Sequence, residues 1–133
     1  MTQYFSIRLP DDEIRAISSI GLAHLGDAVY ELLVRTYLCA HGKATGKGLH
    51  RATVELVRAP AQAEATEKIL PLLTEEEQAV FRRGRNANVQ SIPQNASRAQ
   101  YQQATALEAL IGWLYLRGEK DRIEELFAVM MGE

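Results

Sequence analysis

The stretch Leu25-Gly26-Asp27-Ala28-Val29-Tyr30-Glu31 decides the fold, because it places a carboxylate in an otherwise apolar helical segment. A second stretch of the same kind, Ala104-Thr105-Ala106-Leu107-Glu108-Ala109-Leu110-Ile111-Gly112, lies far along the chain. An ionised carboxylate is costly to bury without a partner cation. If the two helices pack together, the two anions meet, and a hard divalent cation such as Mg²⁺ is the obvious neutralising partner.

Helical periodicity runs through every long segment, and none alternates as a strand would. The sequence therefore predicts an all-α fold with one domain over residues 1–133. Its helices are expected at about 11–17, 19–40, 49–58, 61–70, 74–83, 98–117 and 120–130. Residues 42–48 and 84–97 are predicted to be loops. Pro60 is compatible with two positions, a break in the third helix or the first turn of the fourth.

Asp27 and Glu31 lie four positions apart on the second predicted helix and share a face. Ala23 and Val34 complete that face. The opposite face is predicted to carry the core, with Leu25, Val29 and Leu32. An acid on a helix is usually a solvated surface residue, but Gly26 weakens that interpretation for Asp27. Glycine costs about 1 kcal/mol relative to alanine in a helix, so its presence indicates that another backbone or a ligand approaches closely.

Composition limits the class of protein. The chain has 133 residues, 47% of them hydrophobic, which suits one compact domain with a core. It contains neither an apolar run of about 18 residues nor a signal-peptide pattern at its N-terminus, so we expect a cytoplasmic protein without membrane association. Cys39 is the only cysteine and is expected to pack as a small hydrophobe.

The net charge of −2 is unusual for a protein that binds nucleic acid, but the charges are segregated. Arg82, Arg83 and Arg85 lead into the polar loop at 84–97, and Lys43 and Lys47 lie in or beside the glycine-rich loop. A local basic surface is therefore possible. Arginines at a helix end also complement its dipole, so a purely structural role is the alternative.

The acidic stretches have a familiar form. Leu25-Gly26-Asp27-Ala28-Val29 resembles the signature helix of the ribonuclease III family, and Glu108-Ala109-Leu110-Ile111-Gly112 with Tyr115-Leu116 resembles its second acidic helix. Three further matches resemble the short form, Mini-ribonuclease III, which lacks a double-stranded-RNA-binding domain. They are Arg82-Arg83-Gly84-Arg85-Asn86-Ala87, Pro93-Gln94-Asn95-Ala96, and Tyr101 with Ala104-Thr105.

This resemblance implies an all-α ribonuclease III-type endonuclease domain, a helical bundle that forms a homodimer and cuts double-stranded RNA. It implies that Asp27 and Glu108 are catalytic ligands of Mg²⁺, and it suggests maturation of precursor ribosomal RNA, the 23S precursor. By the same resemblance, full-length members have two further acids at the positions of Ala23 and Thr105, and this chain is similar to the short form in lacking them. Fewer ligands leave a more hydrated and weaker site, so we expect slow turnover or a demand for millimolar Mg²⁺.

The polar residues around the two loops are the candidates for RNA contact. Arginine pairs bidentately with phosphate, and duplex RNA is recognised through its phosphates and 2′-hydroxyl groups. The predicted RNA-binding residues are Arg82, Arg83, Arg85, Asn86, Asn95, Lys43 and Lys47. We expect His24 to be packed and His50 to lie on an exposed loop. A helix-surface or dimer-contact role for Glu31 is favoured over a place around the metal.

Two rival functions remain at the sequence level. The first is a non-catalytic RNA-binding or scaffold protein on the same fold, which the retention of both Asp27 and Glu108 disfavours. The second is a small helical phosphohydrolase, which is weaker because no adjacent His-Asp pair exists.

Overall fold

The computed structural model describes residues 1–42, 46–87 and 97–133, with the Lys47 side chain left out. The helices of this part of the chain are α1 (Asp11–Arg15), α2 (Ser19–Ala40), α3 (Gly46–Val57), α4 (Ala59–Glu67), α5 (Glu75–Arg85), α6 (Arg98–Leu116) and α7 (Lys120–Met130). Two 3₁₀ turns lie at Tyr4–Ser6 and Leu70–Leu72. The described ranges contain helices and no strand, so the all-α prediction is confirmed.

The helices α2 and α6 pack with their backbones in direct contact. A Cβ atom added to Gly26 would lie 1.7 Å from the carbonyl oxygen of Glu108, and one added to Gly112 would lie 2.1 Å from that of Leu22. Only glycine leaves room for another backbone at such distances. Gly26, directly before Asp27, and Gly112, one turn after Glu108, therefore explain how the two acidic helices come together.

The last turn of α5 also lies against α6. A Cβ atom on Gly84 would lie 2.9 Å from the Cβ of Ala109 and 3.0 Å from the Cα of Ala106. This contact keeps Gly84 inside the helix, which continues to Arg85 although the sequence predicted a loop from residue 84. The arginine-bearing turn is consequently held beside the turn of α6 that carries Glu108.

The core lies between the central pair of helices and α4, α5 and α7. Its largest fully buried side chains are Tyr30, Ile69, Leu107, Leu110, Leu114, Gln62, Val34 and Thr66. The capping box predicted at Thr74 is present: the backbone N–H of Thr74 donates to Oε1 of Glu77 at 2.9 Å, and the N–H of Glu77 donates to Oγ1 of Thr74 at 3.2 Å. Pro60 lies in the first turn of α4, which settles the alternative left open by the sequence.

The prediction of the buried face of α2 is wrong. Ala23 and Val34 are only 6% and 0% exposed, whereas Leu32 is 52% exposed. The close approach of α6 at Gly26 turns the side of α2 that carries Ala23, Gly26 and Val34 inward, and the contact geometry outweighs the hydrophobicity of Leu32. Leu32 is therefore left on the outside of this helix.

Three smaller expectations also need correction. Cys39 and His24 are exposed on α2 rather than packed, because both lie on the side turned away from α6. His50 is exposed, as expected, but it lies in α3 rather than in a loop, since α3 begins at Gly46. In the described part of the chain, no helix is long and apolar enough to cross a membrane.

Replacing Gly26 by alanine should destabilise the fold strongly, because the new methyl group would overlap the backbone of Glu108. We expect a loss above about 4 kcal/mol, the range of severe core overpacking, or failure to fold. Gly21→Ala in the same helix is the matched control: its Cβ would meet the Ile17 side chain at 3.0 Å, and the gain in helix propensity offsets that contact. Urea denaturation compares the two, and equal stabilities would contradict the close helix contact.

Candidate active site

Asp27 and Glu108 meet where α2 and α6 cross. Asp27 is exposed at the surface, whereas Glu108 lies deeper, within hydrogen-bonding reach of Asp27. Burial first, and then the negative charge of Asp27, raise the pKa of the Glu108 carboxyl to about 8. Without a cation, the protonated form of Glu108 is favoured over the range between the ordinary carboxyl pKa and this raised value.

Gln62 of α4 is a third member of this site, which the sequence analysis missed. It is 2% exposed, and its Nε2 donates to the carbonyl oxygen of Val57 at 2.5 Å and, over a longer 3.4 Å, to Oε2 of Glu108. Gln62 lies among alanines and short polar residues with little helical amphipathicity, so no pattern marked it as buried. Only the packing of α4 against α6 places it beneath the acid.

Tyr30 is the second buried polar residue near Glu108. It is 1% exposed, and burial together with the charge of Glu108 raises the pKa of its phenol to about 12. In the described part of the chain, Tyr30 Oη and Gln62 Oε1 are the buried side-chain atoms without a hydrogen-bond partner. Two buried polar atoms without hydrogen-bond partners near one carboxylate indicate a site that binds a further polar group. The sequence did not mark Tyr30 as part of the site, because a tyrosine on a helix is also an ordinary core residue.

Glu31 does not join the acid pair. Its carboxylate forms an ion pair with Arg35 at 3.0 Å, one turn further along α2. Both side chains are substantially exposed, so the pair contributes little stability. The geometry agrees with the helix-surface role favoured by the sequence.

The donor set of this site fits Mg²⁺. Two carboxylates and a nearby amide oxygen are hard oxygen donors, and a divalent cation would relieve the repulsion between Asp27 and Glu108. Within residues 1–42, 46–87 and 97–133, no group of three or more His, Cys, Asp or Glu side chains is arranged to hold a metal. Asp27 and Glu108 would be the direct ligands, and water would complete the shell, as Mg²⁺ prefers.

The arginine cluster lies at the exposed C-terminal end of α5. Arg82, Arg83 and Arg85 are all exposed on the last turn of α5, and Asn86 is the exposed residue that caps it. Arg83 faces a cleft between α1, α2 and α5. This cleft is also lined by Arg15 and Trp113. Lys43 and Asn95 lie outside the described residues, as does the Lys47 side chain, so their predicted RNA contacts stay predictions.

Comparison with known proteins agrees with this fold. Residues 21–119 match the family model of the ribonuclease III domain. Curated relatives called Mini-ribonuclease 3 include that of Brevibacillus brevis, 47% identical over 84% of this chain and 87% of its own length. That of Symbiobacterium thermophilum is 46% identical over 80% of this chain and 82% of its own length.

A crystal structure of a protein from Fusobacterium nucleatum has the same fold. Its TM-score is 0.83 at 32% identity, and the alignment covers 91% of this chain and 98% of the other. The helical bundle and the matched domain together define an endoribonuclease. The chain belongs to the ribonuclease III family, and within it to the Mini-ribonuclease III group.

Proposed function

We propose that this endoribonuclease depends on Mg²⁺ and cuts double-stranded RNA, with Asp27 and Glu108 as its metal ligands. The observation that carries the proposal is the pair of carboxylates at the α2–α6 crossing, where burial and the charge of Asp27 raise the pKa of Glu108 to about 8. Such a pair costs folding free energy unless a cation neutralises it. A role in binding a cation accounts for its presence, whereas a scaffold has no use for it.

The residues of the site divide the work between them. Asp27 lies at the surface and is accessible to the phosphodiester, while Glu108 anchors the ion from below. Bound Mg²⁺ would supply charge neutralisation at the phosphate and an activated water for attack on phosphorus. Because Ala23 and Thr105 are each only 6% exposed and carry no carboxylate, they add no ligand. We therefore propose a weak site that needs millimolar Mg²⁺.

The RNA would lie across the arginine-bearing end of α5. The contact of Gly84 with Ala106 and Ala109 holds Arg82, Arg83 and Arg85 close to the turn of Glu108. Exposed guanidinium groups on a helix packed against α6 can bind phosphates while the scissile bond reaches the metal. Lys43, Lys47, Asn86 and Asn95 belong to the same proposal on the basis of sequence.

A homodimer is also part of the proposal, and the outer face of α2 supports it. Leu32 and Ile20 are 52% and 46% exposed, and Ala28 and Cys39 are exposed on the same helix. Large apolar side chains exposed on a helix beside a catalytic site are typical of an interaction surface. Pairing of two copies through α2 would place two cutting sites on one RNA duplex. Precursor ribosomal RNA as the substrate rests on the family resemblance alone, and a cytoplasmic location rests on the composition of the chain; both are proposals.

Asp27→Asn and Glu108→Gln should each abolish cleavage of an RNA duplex in Mg²⁺, because each removes one of only two proposed ligands. RNA binding should persist. The Glu108→Gln fold should be as stable as the wild type or more stable at neutral pH, since a raised folded-state pKa means that stability is lost as pH rises above the ordinary carboxyl value. Cleavage assays, gel shift and thermal denaturation measure these quantities.

The control variant for this test is Glu31→Gln, which removes a nearby acid that does not belong to the pair. Its cleavage rate should stay within about twofold of the wild-type rate, because exposed ion pairs contribute little energy. Full activity of either ligand variant would refute the assignment. Wild-type RNA binding without cleavage at any Mg²⁺ concentration would instead favour the non-catalytic scaffold.

Arg83→Ala and Arg85→Ala should weaken RNA binding, because each exposed guanidinium group is expected to neutralise one phosphate. Each substitution should reduce the slope of log affinity against log salt by about 1. Arg8→Ala is the control, since Arg8 lies beside Gly118 at the far end of α6 and is also exposed. An unchanged salt slope in the Arg83 and Arg85 variants would assign these arginines a structural role.

Leu32→Lys should dissociate the homodimer, because the substitution would bury a charge in the proposed interface at the outer face of α2. Light scattering after gel filtration should show a dimer for the wild type and a monomer for the variant. Leu72→Lys is the matched control: Leu72 is 49% exposed but lies in the turn Leu70–Leu72, away from α2. A monomeric wild type at micromolar concentration, or a Leu32→Lys variant that remains a dimer, would rule out pairing through the outer face of α2.

A further inference from the structure

We propose that Gln62 is a positioning residue: its buried amide holds the Glu108 carboxylate in the orientation that binds the metal, and its free oxygen accepts a hydrogen bond from the ion's hydration water. The inference rests on the proposed function, since it takes Glu108 as a metal ligand. Gln62 itself would not touch the reacting atoms.

The first support is the way in which the Gln62 amide is fixed. A buried amide is costly unless it is hydrogen-bonded. One Nε2 hydrogen points to the carbonyl oxygen of Val57, at the end of α3, and Nε2 also lies 3.4 Å from Oε2 of Glu108. The backbone of Gln62 is held as well, because Oγ1 of Thr66 donates to its carbonyl oxygen at 2.6 Å. The amide is therefore anchored on α3 and α4 and directed toward the acid on α6.

The second support is the free oxygen of the same amide. Gln62 Oε1 is buried and accepts no hydrogen bond from the described part of the chain. A buried acceptor without a donor costs about 1–3 kcal/mol. Because Mg²⁺ keeps several waters in its shell, its binding beside Glu108 would bring donors to this oxygen. The unsatisfied atom thus points to a partner that arrives with the ion.

The third support is the chemistry of an amide at this position. Glu108 already faces Asp27, and a third carboxylate would increase the repulsion between them. A neutral donor restrains Glu108 without adding charge. The two positions where other family members are implied to carry acids do not help, since Ala23 is packed and Oγ1 of Thr105 donates to the carbonyl oxygen of Tyr101 at 3.0 Å. Gln62 is therefore the side chain that hydrogen-bonds the buried ligand from below.

The test is an NMR titration of the RNA-free protein with Mg²⁺. Gln62→Met keeps the volume but removes the amide, and it should weaken Mg²⁺ binding about tenfold, the scale of losing a hydrogen bond to a metal ligand. The Mg²⁺ concentration for half-maximal cleavage should rise to match, while the rate at saturating Mg²⁺ changes less. Thr53→Val is the matched control, because Thr53 is also buried and the substitution removes a hydrogen bond to the carbonyl oxygen of Leu49 that involves neither Gln62 nor Glu108.

Each outcome decides between the hypotheses. Equal Mg²⁺ affinity of Gln62→Met and the wild type, or an equal loss in Thr53→Val, overturns the role of Gln62. If Gln62→Met does not fold, Gln62→Asn replaces it, since its shorter amide stays polar but does not reach Glu108. A wild type that binds no Mg²⁺, or a Glu108→Gln variant that binds it unchanged, refutes the proposed metal site itself rather than the inference about Gln62.

Discussion

The backbone contact between α2 and α6 is the constraint on which the rest of the structure depends. It exists because Gly26 and Gly112 leave no side chain between the two helices. The contact determines which side of α2 is buried, and it brings Asp27 to Glu108. It also leaves Leu32 exposed, and on this exposed apolar side chain we base the proposed contact with a second copy of the chain. The site and the proposed dimer surface are thus two consequences of one helix crossing.

The electrostatic cost of this arrangement is concentrated on Glu108. Burial and the charge of Asp27 raise its pKa to about 8, and Tyr30 and Gln62 each keep an unsatisfied atom in the core. A fold selected only for stability would replace such a cluster with packed apolar side chains. We propose instead that the cluster is a site for a cation, in which the Gln62 amide positions the Glu108 carboxylate.

Much of the fold was readable from the sequence. The long helices and their caps follow from periodicity and from local signals such as Thr74 with Glu77, which act within one turn. The end of α5 and the start of α3 were misplaced, because glycine disfavours a helix locally but is accepted where packing supports it. The exposed positions of His24 and Cys39 were misjudged for a related reason, since hydrophobicity alone does not say which helix face finds a partner.

The sequence by itself determined the helical class and the family, and it identified two carboxylates with a glycine nearby. These are properties of residue type and spacing along one helix. Only the tertiary structure decided which face of α2 is inside, that Asp27 is exposed while Glu108 is not, and that Gln62 lies under the acid. These features depend on the distance and the rotation between helices that lie far apart in sequence. The size of the side chains at the crossing determines both, and the pattern of residues within one helix does not encode them.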